Sequence, residues 1–390
     1  MDLSLLSKRM FNLGSESAFE VLEKAKKLEA EGKNIIHFEI GEPDFDTPRN
    51  IIEAGKTALD EGYTHYTAAQ GYLPLREAVT QYALEYKNIK TNPEEVVIVP
   101  GGKPIMFYTM TALINPGDEV IYPSPGFPIY ESLIRFYGGI PVPLAIREEN
   151  DFRLDVEELK SKLTTKTKLL LINSPANPTG GVLSEEDIDE IANVLIGKNI
   201  FVLSDEIYDR MIYDGSTKSI ASIPEMKEWT IVLDGFSKTY AMTGWRLGYG
   251  IMNKTLAQKV TDLMINTNSC TAAFAQVAGI EALTGPQHAV DEMKSEFFNR
   301  REIIVDGLNG IKGFKCIKSP GAFYAFPNIK DTGMRSSELS DYLMNHAGVA
   351  VLSGSSFGAF GEGYLRFSYA TSTENIKIAL KRIDEAMKKL

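Results

Sequence analysis

Residues 168–206 read KLLLINSPANPTGGVLSEEDIDEIANVLIGKNIFVLSDE, and this stretch decides the fold. KLLLIN is a short apolar run that predicts a buried strand. SPANPTGG, rich in proline, asparagine and glycine, predicts a rigid polar loop. SEEDIDEIANVLIG has helical spacing, with Ser184 as N-cap, Asp187 three residues on as a weak capping-box partner, and Gly197 near its end. IFVLSDE is again a buried strand, ending in Asp205 and Glu206.

The same alternation extends in both directions. EEVVIVP precedes the helical GGKPIMFYTMTALI, DEVIYP precedes PIYESLIRFYGG, and TIVLDG is a further buried strand. The pattern predicts an α/β fold: a three-layer α/β/α large domain whose mainly parallel sheet is covered on both faces. From about Asn253 the pattern turns mostly helical. VDEMKSEFFNRREIIVDGLNGI predicts a long amphipathic helix, followed by strand-like GAFYAFP and GYLRFSYA and two more helices. These predict a small α+β domain. The expected division is 1–47 for an N-terminal arm and part of the small domain, 48–285 for the large domain and 286–390 for the small one. The helix in SESAFEVLEKAKKLEAEG is expected to pack on the small domain or on a second subunit.

The chain has 390 residues, too many for a single core, and a net charge of −11. That acidity argues against nucleic acid or an anionic membrane as partner. Two cysteines make no disulfide framework, and four scattered histidines give no metal-ligand spacing, so no metal is expected. No apolar run reaches membrane-spanning length, and the first residues lack a signal peptide's apolar core. A cytoplasmic location is the expectation.

In open α/β sheets, ligands sit at the carboxyl ends of the strands. The informative loops fall there. Gly101 and Gly102 in VIVPGGKP could offer backbone N–H groups to an anion, although a strand-to-helix turn calls for glycine in any case. The loop after KLLLIN suggests a positioned amide. Asp205 is either a helix N-cap or a carboxylate with a buried partner. Arg366 in GYLRFSYA is either a surface residue or a two-pronged clamp for a carboxylate. DGFSKTYAMTGWRLGY, residues 234–249, sets Lys238 and Arg246 among small and aromatic neighbours. GKT at 55–57 lacks the upstream glycine of a phosphate loop and lies in a helical pattern.

Together, GEPDFDTP, YTAAQGYLPLREAV, GGKP, NSPANPTG, SDEIY, SKTYAMTGWRLGY and LRFSYA stand in one order from Gly41 to Ala370. In that order they resemble the class I aminotransferases of the fold-type I pyridoxal-phosphate enzymes, in the branch of aspartate and aromatic aminotransferases. The resemblance implies pyridoxal 5'-phosphate as cofactor and amino transfer between an L-amino acid and a 2-oxo acid in two half-reactions. By this resemblance Lys238 forms the Schiff base with the cofactor aldehyde, and Arg246 binds its phosphate and favours the neutral lysine. Gly101, Gly102 and Lys103 form the phosphate loop, and Asp205 pairs with the pyridine nitrogen. Asn177 and Tyr208 bind the phenolic oxygen, and Phe127 stacks on the ring. Arg366, helped by Asn177 and the Gly41 backbone, holds the substrate α-carboxylate. Tyr66 matches a tyrosine that reaches the neighbouring subunit's phosphate, which implies a homodimer with shared sites.

Two departures stand out. Gly235 occupies a position where many relatives carry a hydroxyl for the phosphate; Ser237 is expected to point elsewhere on an extended segment. INTNSCTAAF contains no arginine to bind a second substrate carboxylate, while Phe11, Phe19 and Phe127 leave room for an apolar or aromatic substrate. Carbon–sulfur β-lyases and amino-cyclopropane synthases of this fold share Lys238, Asp205 and Arg366, so the resemblance alone leaves elimination and cyclisation open. Regulators of this fold carry an added DNA-binding domain, for which the stretch before Gly41 is expected to leave no room.

Overall fold

A computed structural model describes residues 5–390; the first four residues of the expected N-terminal arm lie outside the described residues. A short 3-10 helix, Lys8–Asn12, precedes the helix Ser17–Ala30 and the short strand β1 (Ile36–His37). It then builds a seven-stranded sheet from β2 (Val96–Val99), β3 (Glu119–Ser124), β4 (Ile140–Ala145), β5 (Thr167–Asn173), β6 (Phe201–Asp205), β7 (Thr230–Gly235) and β8 (Gly248–Ile251). The order across the sheet is β2-β8-β7-β6-β5-β3-β4. The pairs from β7 to β4 are all parallel, and β8 alone runs against its neighbours β2 and β7.

Successive side chains of a strand point to opposite faces, and the core divides accordingly. Leu169, Leu171, Leu203, Ile231 and Leu233 pack under the helices Lys103–Leu113, Ile129–Phe136 and Lys254–Ile265. On the other face Leu170, Ile172 and Val202 meet the helix Glu185–Leu195. There too Ile98 and Val232 meet the helices Arg49–Asp60, Leu73–Lys87 and Ala273–Thr284. This is the expected three-layer α/β arrangement. The expected capping box is present: Ser184 Oγ accepts from the Asp187 N–H at 3.1 Å, and Asp187 Oδ2 accepts from the Ser184 N–H at 2.8 Å.

Two strands of the seven-stranded sheet were not read from the sequence. β4 carries Pro141 and Pro143, residues that lack an N–H and are tolerated only at a sheet edge, where β4 lies. β8 is GYGI, weak as a strand because glycine adds no packing. Its glycines answer a tertiary need: a Cβ on Gly248 would sit 2.7 Å from the Gly102 nitrogen, and one on Gly250 would sit 2.7 Å from Ile105 Cδ1.

The C-terminal residues form the long helix His288–Asn309, the helix Thr373–Met387 and the short strands β9 (Tyr324–Ala325), β10 (Val349–Ala350), β11 (Leu352–Ser353) and β12 (Leu365–Ser368). β12 lies between β11 and β9, antiparallel to both, and β10 pairs in parallel with β1. The N-terminal helix packs on these elements, with Ala25, Val21 and Leu28 against Ile35, Met344 and Ala350. Tyr208 and Met211, from the loop after β6, enter the same core as Phe297, Phe323 and Phe367. No helix among the described residues is long and apolar enough to cross a membrane.

Candidate active site

The C-terminal ends of β2, β3, β5, β6 and β7 and the start of antiparallel β8 share one edge of the sheet. Over that edge lies a cavity of about 460 Å³. Its lining includes Gly41, Gly102, Lys103, Phe127, Asn177, Asp205, Tyr208, Lys238, Arg246 and Arg366, ten of the residues singled out from sequence. Gly101 is one residue outside that lining, at φ +83°, and a Cβ there would run into the Arg246 guanidinium. Tyr66 is not in the cavity. It is 88% exposed beside a separate depression bordered by Tyr63, Tyr72 and Arg76.

Asp205 ends β6 and is buried. Its Oδ2 accepts from the Tyr130 hydroxyl at 2.7 Å, and Oδ1 accepts from the Ile207 N–H at 3.3 Å. Burial pushes its pKa up to about 6, against the pull of these two donors. Turns rather than a helix follow at 207–210, so Asp205 caps no helix.

Lys238 follows β7 and points into the cavity, where its ammonium donates to the Gly41 carbonyl. Burial is the largest cause that brings its pKa down to about 8; Arg366 and Lys103 add to it, and Glu42 and Glu16 oppose it. Arg366 and Lys103 are thus the cations that depress it most, and Arg246, the cation expected from sequence, lines the same cavity. Ser237 also lines the cavity, contrary to the reading from sequence, because the chain turns at 237–240 instead of staying extended.

Arg366 sits in the middle strand of its sheet and is buried. Its Nη1 donates to Asn177 Oδ1 at 3.1 Å and its Nη2 to the Glu39 carbonyl, while Nε is buried without a partner. Asn173 orients Asn177: its Oδ1 accepts from the Asn177 N–H at 2.9 Å, and its Nδ2 donates to the Asp205 carbonyl at 3.0 Å. The amide loop is thereby tied to the strand that carries Asp205.

Tyr324, Tyr130 and Glu16 were missed from sequence. The Tyr324 hydroxyl lies 2.6 Å from that of Tyr208, and its ring lies 4.7 Å from Arg366 Cζ. Tyr324 also explains Gly41, where any Cβ would collide with its hydroxyl. Glu16 forms an ion pair with Lys103, whose Nζ stands 5.4 Å from the centre of the Phe127 ring. GAFYAFP read only as a strand, and Tyr130 and Glu16 as helix residues; no local pattern marks their contacts.

Gly235 has a packing reason. A Cβ there would lie 3.0 Å from Gly248 Cα and 3.2 Å from the Leu247 carbonyl oxygen, so the close approach of β7 and β8 leaves little space for a hydroxyl-bearing residue.

Residues 33–383 match the family described as Aminotransferase class I and II. The chain belongs to that family. It is 42% identical to an aspartate aminotransferase of Pyrococcus abyssi over 94% of this chain and 95% of the relative. It is 40% identical to aromatic-amino-acid aminotransferase 2 of Thermococcus litoralis over 98% of each chain. Among solved structures, the aspartate aminotransferase of Rhizobium meliloti superposes with a TM-score of 0.95 at 34% identity, over 99% of each chain. This aminotransferase therefore shares its fold and its cavity-bearing sheet with transaminases, and it is itself a transaminase. Enzymes of the family in general depend on pyridoxal phosphate.

Proposed function

We propose that this aminotransferase binds pyridoxal 5'-phosphate in the cavity and moves the amino group between an L-amino acid and a 2-oxo acid by a ping-pong cycle in the cytoplasm. The observation that carries the reading is the convergence of Lys238, Asp205, Asn177, Tyr208 and Arg366 on one cavity. The donor set fits the cofactor. Gly101, Gly102 and Arg246 form a cradle suited to a phosphate, and at Gly101 a Cβ would run into the Arg246 guanidinium. Asp205 is a buried carboxylate able to face a ring cation, and Phe127 offers a ring face.

When bound, the cofactor supplies an aldehyde that takes up the amino group and a ring that accepts electrons released at Cα. The chain's residues do the rest. Lys238 holds the cofactor and moves the proton at Cα, a task that a depressed pKa suits. Asp205 keeps the ring nitrogen protonated, and Asn177 and Tyr208 hold the phenolic oxygen. Arg366 grips the α-carboxylate with a planar fork and so aims Cα–H. Gly41 contributes its backbone beside Arg366.

The proposed substrates are aspartate or glutamate, or aromatic amino acids; the names of the two relatives suggest aspartate and aromatic amino acids. Lys103 lines the cavity as a cation that a side-chain carboxylate would meet by displacing Glu16; Phe127 and Phe19 are apolar surface available to a ring. The proposal includes a homodimer in which exposed Tyr66 reaches the partner's phosphate, and the division of the chain at 1–47, 48–285 and 286–390.

A half-reaction screen tests the reading. The enzyme is loaded with cofactor in the aldehyde form, each common L-amino acid is added, and conversion to the amine form is timed by absorbance. Rapid conversion by acidic or aromatic amino acids is expected. Steady release of ammonia and pyruvate from cysteine, with no amine form, would overturn transfer in favour of elimination.

A further inference from the structure

Glu39 is fully buried two residues before Gly41. Its Oε1 pairs with His37 Nδ1 at 2.7 Å. The other ring nitrogen of His37 faces Glu29 Oε1, on the N-terminal helix, at 3.1 Å. The second carboxylate oxygen of Glu39, Oε2, is buried and has no hydrogen-bond partner. The same is true of Nε of Arg366, whose Nη2 donates to the Glu39 backbone oxygen. A buried carboxylate and a buried guanidinium thus belong to neighbouring groups, and each keeps bonding capacity unspent. A buried anion freed from His37 would gain most by turning to that cation.

We infer that His37 is a positioning residue for Arg366: it holds the Glu39 carboxylate in an ion pair of its own and so keeps it off the guanidinium that takes the substrate α-carboxylate. The inference rests on the reading of Arg366 given above. Glu39 is an internal rival for the substrate, and a tethered rival competes at high effective concentration. His37 suits the role because Glu39, with Glu29 in support, raises its pKa to about 9, so it is cationic at neutral pH. Glu29 from the N-terminal helix faces the pair; Arg366 of β12 meets the Glu39 backbone oxygen and has the Glu39 carboxylate, Glu16 and Tyr208 near it, with the Tyr324 ring over the guanidinium.

The test uses the cofactor-loaded enzyme and the concentration dependence of the half-reaction, which separates half-saturation from maximal rate. In His37→Leu, half-saturation is expected to rise about tenfold or more for every amino acid, with maximal rates held within about threefold. Glu39→Gln is expected to bind as tightly as the parent or more tightly. The double variant His37→Leu/Glu39→Gln is expected to return to within about threefold of the parent, which a merely structural role for His37 would not produce. No loss in the single variant, or a loss that the double variant does not rescue, overturns the inference. Imidazole NMR adds a direct readout: His37 should titrate near 9 in the parent and shift toward 6.5 in Glu39→Gln. A parent value near 6.5 also overturns it. If His37→Leu does not fold, inhibition by 3-phenylpropionate, which has no amine to titrate, replaces it. Inhibition should weaken from about pH 7 to about pH 10 in the parent but not in Glu39→Gln, and equal profiles overturn the inference. Arg366→Lys separates the two levels. If it leaves half-saturation unchanged, the reading of Arg366 fails; if only the His37 variant is silent, the reading stands and the inference fails.

Discussion

The Tyr130 hydroxyl donates to Asp205 Oδ2 at 2.7 Å, and both side chains are buried. Tyr130 belongs to the helix after β3, on the same face of the sheet as Leu203. This bond is one of the two that stabilise the ionised form of Asp205 against burial. Tyr130→Phe is expected to raise the Asp205 pKa and to move the acid limb of the half-reaction rate to higher pH. Asp205→Asn should still bind cofactor but slow Cα–H removal by several orders of magnitude, with a deuterium isotope effect at Cα that persists or grows. A Tyr130→Phe profile superimposable on the parent's would remove the hydroxyl from this role.

Lys238 has a pKa brought down from 10.5 to about 8, chiefly by burial. The neutral amine is the reactive form, so the rate at which cofactor-free protein captures added pyridoxal 5'-phosphate should rise with pH through about 8. Because the folded value is depressed, this group's contribution to stability is present above 10.5 and is lost as pH falls through about 8. Lys238→Met should therefore raise the unfolding midpoint of the cofactor-free protein at neutral pH while abolishing the borohydride-reducible link to cofactor. Thermal melts and peptide mass spectrometry check the two halves.

Arg366→Lys keeps the charge but loses the planar fork. Half-saturation should rise for every amino acid together, by about tenfold or more, with the order of substrates unchanged. A changed order with intact best rates would mean that Arg366 reads the side chain and that the substrate lies the other way round.

Lys87 is buried among Glu206 at 3.0 Å, Asp209 at 2.5 Å and Asp234 at 3.0 Å, and so ties the helix Leu73–Lys87 to the ends of β6 and β7. Removing Lys87 takes the ion-pair partner from all three carboxylates, so Lys87→Met should lower stability by about 3–5 kcal/mol in urea unfolding. Burial pushes Asp234 from 3.8 up to about 7, against the pull of Lys87. A raised folded value means that its contribution is complete below 3.8 and lost as pH rises through about 7. Asp234→Asn stays neutral, so it should gain on the parent across that interval. Parallel urea curves at the two ends of the interval, with no relative gain, would count against the assignment.

Gly235→Ser introduces the hydroxyl that the family resemblance led one to expect there, but its Cβ would meet Gly248 Cα at 3.0 Å. The expected outcome is a loss of about 1–3 kcal/mol with no gain in cofactor affinity. Urea unfolding and cofactor titration of the same sample decide it; tighter binding without a stability loss would show that β7 and β8 can part.

The amino-acid sequence by itself determined the alternation of strands and helices, the capping of the helix at Ser184 and the long C-terminal helix, and through its resemblance to a family it pointed to ten of the cavity's lining residues. The elements are legible because apolar period and cap chemistry are local properties, and the lining residues because the motifs that carry the resemblance are short runs of sequence. What the tertiary structure alone decided depends on residues far apart in the chain. Lys238 meets Gly41 across 197 positions and Arg366 meets Asn177 across 189, and Tyr324 enters the site against Tyr208 across 116. Edge strand β4 with its prolines, glycine-bearing β8 and the packing reason for Gly235 were hidden for the same cause: each is set by what lies across the sheet. The cations that act on Lys238 and the burial of Glu39 beside Arg366 were hidden too. Electrostatic energy depends on distance and burial in space, and neither is written into any short window of sequence.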